Sequence, residues 1–97
     1  MKVLVTGAAG FIGRMVMAEL ATRARLTVDG AEREVEAILA LDLDAAAMAD
    51  LEAADPRVRA LGGGLTDAGA AAAIEAASPG LVIHLAAVVS GAAEADF

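Results

Sequence analysis

The chain has 97 residues, of which 59% are hydrophobic, yet alanine supplies 27 of those 57 residues and adds little apolar area. Such a length suits one small domain or part of a larger one. With no cysteine and a net charge of −7, disulfides and thiolate metal sites are excluded, and binding of a nucleic-acid backbone through a basic face is disfavoured. No apolar run approaches the ~20 residues of a spanning helix, and the start of the chain carries no signal-peptide pattern. The expectation is a cytoplasmic protein without membrane or nucleic-acid partners.

Residues 3–5, Val3-Leu4-Val5, read as a short buried parallel strand closed by Thr6-Gly7. From Phe11 to about Arg23 the apolar residues Ile12, Met15, Val16, Leu20 and, less strictly, Met17 mark a helical stripe, and Arg23 and Arg25 suit the negative end of its dipole. Thr27-Val28-Asp29-Gly30 gives a turn signal, and the charged stretch to Glu36 reads as an exposed excursion. Residues 37–41 form the second strand, ending at Asp42, after which Asp44 is placed to cap a helix that runs to about Ala54 and stops at Asp55-Pro56.

Residues 57–61 read as a third strand terminated by Gly62-Gly63-Gly64. Thr66 or Asp67 caps a third helix through Ala77, and Ser78-Pro79-Gly80 breaks it. Residues 81–88 are the most hydrophobic stretch and read as a fully buried strand. The order β-α-β-α-β-α-β implies a parallel α/β sheet with right-handed crossovers. Four such strands are expected in the order 3-2-1-4, leaving the first and fourth at the point where a dinucleotide lies.

The strongest chemical signal is Thr6-Gly7-Ala8-Ala9-Gly10-Phe11-Ile12-Gly13, which leaves the first strand and opens the first helix. In its G-x-x-G-x-x-G spacing Gly7 permits the tight turn. Gly10 lets backbone approach a pyrophosphate, and Gly13 brings the helix close to the sheet. Unpaired amides and the positive helix end then face the phosphates without needing a basic side chain. Asp42 ends the second strand 29 residues after Gly13, where an acidic residue accepts hydrogen bonds from ribose hydroxyls. A carboxylate there repels a 2′-phosphate, which favours NAD over NADP. Asp44 is its nearest rival, better placed as a cap, and Arg14 is either an exposed helical arginine or a contact for a 2′-phosphate.

With the glycine turn and Asp42, the segments Gly63-Gly64-Leu65-Thr66-Asp67 and Val82-Ile83-His84-Leu85-Ala86-Ala87 make the chain resemble the extended short-chain dehydrogenase/reductase family, also called the NAD-dependent epimerase/dehydratase family. More narrowly, residues 84–97 and the excursion at Val28-Asp29-Gly30 are similar to the D-erythronate dehydrogenase branch of that family. The resemblance implies a partial Rossmann-like, doubly wound parallel sheet. It also implies a cofactor site made of Gly7, Gly10, Phe11, Ile12, Gly13, Asp42, Leu65, Ala86 and Ala87, with Ser90 leading into the substrate pocket. The family usually has Asp before the Leu65 position, holding the adenine amino group, and here that residue is Gly64.

The family abstracts a proton with Tyr-x-x-x-Lys, aided by Ser or Thr, beyond the fourth strand. This chain has no tyrosine, and its single lysine is Lys2. The resemblance therefore implies that residues 1–97 are the NAD-binding, amino-terminal part of a larger dehydrogenase, inactive alone, and homo-oligomeric in its full form. A nucleotide-sugar epimerase or dehydratase shares these motifs, and a non-catalytic nucleotide-binding regulator is a third reading. His84, inside an apolar strand, reads as a ring hydrogen-bonded to backbone rather than as a general base. Met15, Met17 and Met48 read as core filling, and Glu32, Glu34 and Glu36 as a solvated edge rather than a metal site.

Overall fold

The computed structural model describes residues 1–64 and 67–85. Its main sheet holds four parallel strands, β1 (Lys2–Thr6), β4 (Ala37–Asp42), β5 (Val58–Gly62) and β6 (Leu81–His84), in the order β5-β4-β1-β6. Once two hairpin strands are counted, this is the expected 3-2-1-4 arrangement. Val3 pairs with Ile38 and Leu81, and Thr6 with Leu41 and His84, so the carboxyl ends of the three strands finish level.

β1 and β4 are buried on both faces, which is why Val3-Leu4-Val5 and Ile38-Leu39-Ala40-Leu41 show no polar alternation. One face carries Val3, Val5, Ile38, Ala40 and Val58 against Met17, Leu20 and Met48. The other carries Leu4, Leu39 and Leu41 against Ala70 and Ile74. Burying a valine or leucine side chain fully contributes roughly 1.5–3 kcal/mol, so these two central strands anchor both cores.

Helix α1 (Phe11–Ala21) lies on the first face, and α3 (Ala68–Ala77) lies on the second. The stripe that α1 buries is Gly13, Met17 and Leu20. Ile12 and Met15 are exposed, correcting the expected stripe and the core reading of Met15. Gly13 must face the sheet, and that sets the helix rotation. The helix also stops at Ala21 with Thr22 as its C-cap, earlier than Arg23. Arg23 reaches back to Glu19, while Arg25 belongs to the next strand and pairs with Glu32.

The stretch after α1 is more ordered than an excursion. β2 (Arg25–Val28) and β3 (Ala31–Glu34) form an antiparallel hairpin. Asp29 (φ 52°) and Gly30 (φ 77°) form its two-residue turn, the positive-φ pair that matches strand twist. Leu26 packs against the core, and Glu36 lies near the terminal ammonium.

Asp44 does cap the next segment, accepting from the Ala46 amide, but the chain first makes a 3₁₀ turn (Ala45–Met48) before α2 (Ala49–Ala54). Asp67 accepts from the Gly69 and Ala70 amides and caps α3. Thr66 lies outside the described residues. β6 departs from the fully buried strand expected over 81–88: Val82 is 52% exposed and His84 is exposed, because β6 is the edge of the described sheet. Residues 86–88 lie outside the described part. No helix among the described residues is long and apolar enough to cross a membrane.

Candidate functional site

The carboxyl ends of β1, β4 and β5 turn outward together and are tied to one another. The Gly7 and Ala8 amides donate to the Leu41 carbonyl (2.8 and 3.2 Å), and the Gly63 amide donates to the Asp42 carbonyl (2.9 Å). Gly7 sits at φ 71°, a conformation that side chains with a Cβ resist. Its carbonyl accepts from the Gly10 amide at 3.1 Å, closing the turn into α1.

Gly13 is where the packing demand is greatest. A Cβ there would stand 2.0 Å from the Gly7 carbonyl oxygen and 2.8 Å from Ala8 backbone atoms. Gly10 is different: its φ of −72° is ordinary, and a Cβ would meet only the Gly7 oxygen at 3.4 Å. The protein's own packing thus explains Gly7 and Gly13 but not Gly10. The open space above Gly10 is where a ligand's approach would require a residue without a side chain.

Helix α1 begins at Gly10 with no side-chain cap and no acidic residue in its first turn. The amides of Phe11, Ile12 and Gly13 donate to no acceptor among the described residues. Free donors and a positive helix end together favour an anion. The Phe11 side chain is 82% exposed and the Ile12 side chain 54%, so these residues serve the turn through backbone.

Asp42 stands beside this turn. Its Oδ2 accepts from the Ala9 amide at 2.9 Å and its Oδ1 from the Leu43 amide at 2.7 Å. Each carboxylate oxygen keeps a second lone pair, so the group is oriented by backbone and still able to accept from hydroxyls. Arg14, on the outer side of the turn, donates from Nε to the Ala9 carbonyl (3.2 Å), from Nη1 to Asp50 (2.8 Å) and from Nη2 to the Ala47 carbonyl (2.6 Å). Its guanidinium holds the Asp50 carboxyl below the usual carboxylate range, chiefly through that hydrogen bond.

The structure therefore brings together Gly7, Gly10, Phe11, Ile12, Gly13 and Asp42. The cofactor residues Leu65, Ala86 and Ala87, and Ser90 on the substrate side, lie outside the described residues. His84 is beside the site but not as expected: its Nδ1 is 2.7 Å from the Thr6 hydroxyl rather than bonded to backbone. The register that sets Thr6 opposite His84 brings those two side chains together.

A cavity of about 560 Å³ opens at the other end of the sheet, lined by the last turn of α1, the base of the hairpin and Asp55-Pro56-Arg57. Sequence reasoning missed the role of Arg57, which read as the first residue of a strand. Its five donors reach Asp55 twice and the carbonyls of Leu20, Arg23 and Val35. Every guanidinium hydrogen is used, so this arginine is a structural clasp with none left for a ligand. The Arg57 guanidinium holds the Asp55 carboxyl below its ordinary range against the opposing effect of burial. The Asp-Pro-Arg sequence after a helix was its only signal.

Two comparisons with known proteins bear on this site. The family model described as "NAD dependent epimerase/dehydratase family" matches residues 3–96. The chain is also 41% identical, over all 97 of its residues, to a D-erythronate dehydrogenase of Cupriavidus necator, spanning 29% of that protein's length.

Proposed function

Because the chain belongs to the NAD dependent epimerase/dehydratase family, we propose that residues 1–97 are the dinucleotide-binding part of an oxidoreductase that uses NAD to oxidise a small sugar acid. The observation that carries this reading is the pairing of three free amides at Phe11, Ile12 and Gly13 with the oriented carboxylate of Asp42 on the adjacent strand end. The amides bind the pyrophosphate, Gly10 admits it, and Asp42 accepts from the ribose hydroxyls. NAD supplies the hydride acceptor when bound.

Two features support NAD over NADP. Asp42 places negative charge where a 2′-phosphate would lie, and the nearby Arg14 is committed to Ala9, Ala47 and Asp50. Leu65 would pack beside adenine, Ala86 and Ala87 would lie along the second ribose, and Ser90 would approach the substrate. Residues 1–97 hold no tyrosine and only Lys2 as a lysine. In this reading the alcohol proton is taken by groups outside them, and the chain is the amino-terminal part of the enzyme. The substrate class rests on the Cupriavidus necator relative, a D-erythronate dehydrogenase.

Titration of the intact protein with NAD and NADP, followed by an assay of NAD reduction with D-erythronate and related sugar acids, tests the proposal. Binding of NAD with reduction dependent on a sugar acid is expected. Absence of dinucleotide binding overturns the cofactor assignment, and reduction with no sugar acid overturns the substrate class.

A further inference from the structure

Ala9 is held from both sides: its amide donates to Asp42 and its carbonyl accepts from Arg14 Nε. The proposed ribose carboxylate and a guanidinium therefore flank one residue. In the dinucleotide reading, a free arginine on that flank would offer a 2′-phosphate a charge-assisted partner. The guanidinium is prevented from acting this way. Asp50, in the first turn of α2, takes Nη1 at 2.8 Å, and the Ala47 carbonyl takes Nη2 at 2.6 Å.

We propose that Asp50 is a specificity-determining residue that acts through Arg14: it detains and neutralises the guanidinium, so that the site rejects NADP. The inference rests on the dinucleotide reading above. Asp50 is a positioning residue, since it touches neither the turn nor Asp42. The ion pair with Asp50 cancels the charge of the Arg14 guanidinium on the flank of Ala9. Asp42 sets the first barrier to NADP, and Asp50 removes the group that would otherwise offset it. Both side chains of the pair are partly open to solvent, 39% for Arg14 and 65% for Asp50, so the effect is modest and sensitive to salt.

The test is calorimetric titration of the intact protein with NAD and with NADP at low ionic strength, for the wild type, Asp50→Asn, Asp50→Glu and the double variant Arg14→Gln/Asp50→Asn, with melting curves to establish folding. Asp50→Asn is expected to tighten NADP binding by roughly two- to fivefold, the span of exposed ion pairs, with NAD unchanged. Asp50→Glu should restore the wild-type ratio, and adding Arg14→Gln should abolish the gain. A ratio that stays the same in Asp50→Asn, or a gain that survives loss of Arg14, overturns the proposal alone. Failure of the wild type to bind either dinucleotide overturns the cofactor reading and this proposal with it.

Discussion

The Thr6 hydroxyl joins β1 to β6 at the edge of the candidate site: it lies 2.7 Å from His84 Nδ1 and accepts the Leu85 amide at 3.0 Å. Thr6 is fully buried, and its oxygen fixes the spacing between the glycine turn and the start of the segment after β6. Thr6→Val keeps the shape and removes these two hydrogen bonds. It is expected to cost about 0.5–1.5 kcal/mol, because His84 loses its hydroxyl partner while the Leu85 amide keeps the Thr6 carbonyl as acceptor at 3.1 Å. Urea unfolding of Thr6→Val beside Thr6→Ser, which retains the hydroxyl, checks this.

Gly13 and Gly10 separate packing from binding. Gly13→Ala drives a Cβ into the Gly7 carbonyl and Ala8 backbone, and should destabilise the fold by about 1–3 kcal/mol or more. Gly10→Ala meets only ordinary contact and should leave stability within about 0.5 kcal/mol. Its methyl group occupies the space assigned to the pyrophosphate, so NAD affinity should fall roughly tenfold. Melting curves and NAD titration together check this: Gly10→Ala should lose affinity at an unchanged melting temperature, whereas any loss of affinity in Gly13→Ala should come with a lowered one.

Asp42 orients the turn through Ala9 and is assigned to the ribose. Asp42→Ala removes the acceptor of two amides, and the loss of charge-assisted bonds of about 1.5–3 kcal/mol should weaken NAD binding at least tenfold. Asp42→Asn keeps one acceptor oxygen without the charge. It should raise the ratio of NADP to NAD affinity, measured by parallel titrations.

The Asp55–Arg57 clasp gives a pH signature. The folded-state value of Asp55 is lowered by its bond from Arg57, so its contribution is complete above the unfolded value of about 3.9 and is lost as pH falls through the lowered folded one. The stability gap between wild type and Asp55→Asn should therefore be constant near neutrality and shrink below about pH 4. At neutral pH, Arg57→Lys should cost about 3 kcal/mol, since a lysine leaves the Asp55 carboxylate, 8% exposed, poorly matched. Denaturant titrations across pH measure both.

The four parallel strands were legible because Val3-Leu4-Val5 and Ile38-Leu39-Ala40-Leu41 lack polar alternation and end at glycine or aspartate. The turn was legible because Gly7 and Gly13 answer steric demands that few other residues meet. Of the hairpin only the Asp29-Gly30 turn was legible, not its two strands. Arg25, Glu32, Arg33 and Glu34 sit on a ribbon open on most sides, where pairing such as Arg25 with Glu32 replaces hydrophobic alternation. The rotation of α1 was also hidden, since Gly13 faces the sheet with no apolar side chain to announce it, while Ile12 and Met15 point outward. Arg57 and His84 owe their roles to neighbours distant in sequence, the carbonyls of Leu20, Arg23 and Val35 for one and Thr6 for the other.

The hairpin insulates the site from changes in chain length. It is closed at its base by the Val35 amide on the Ala24 carbonyl, and Gly30 at its tip has open space where a side chain would stand. Residues added between Asp29 and Gly30 would lengthen a projection away from the sheet, while β4 would still enter in register with β1 and deliver Asp42 to the same place. That tip is a natural tether: a fluorophore, an affinity peptide or a surface linkage attached there would leave the glycine turn facing open solution.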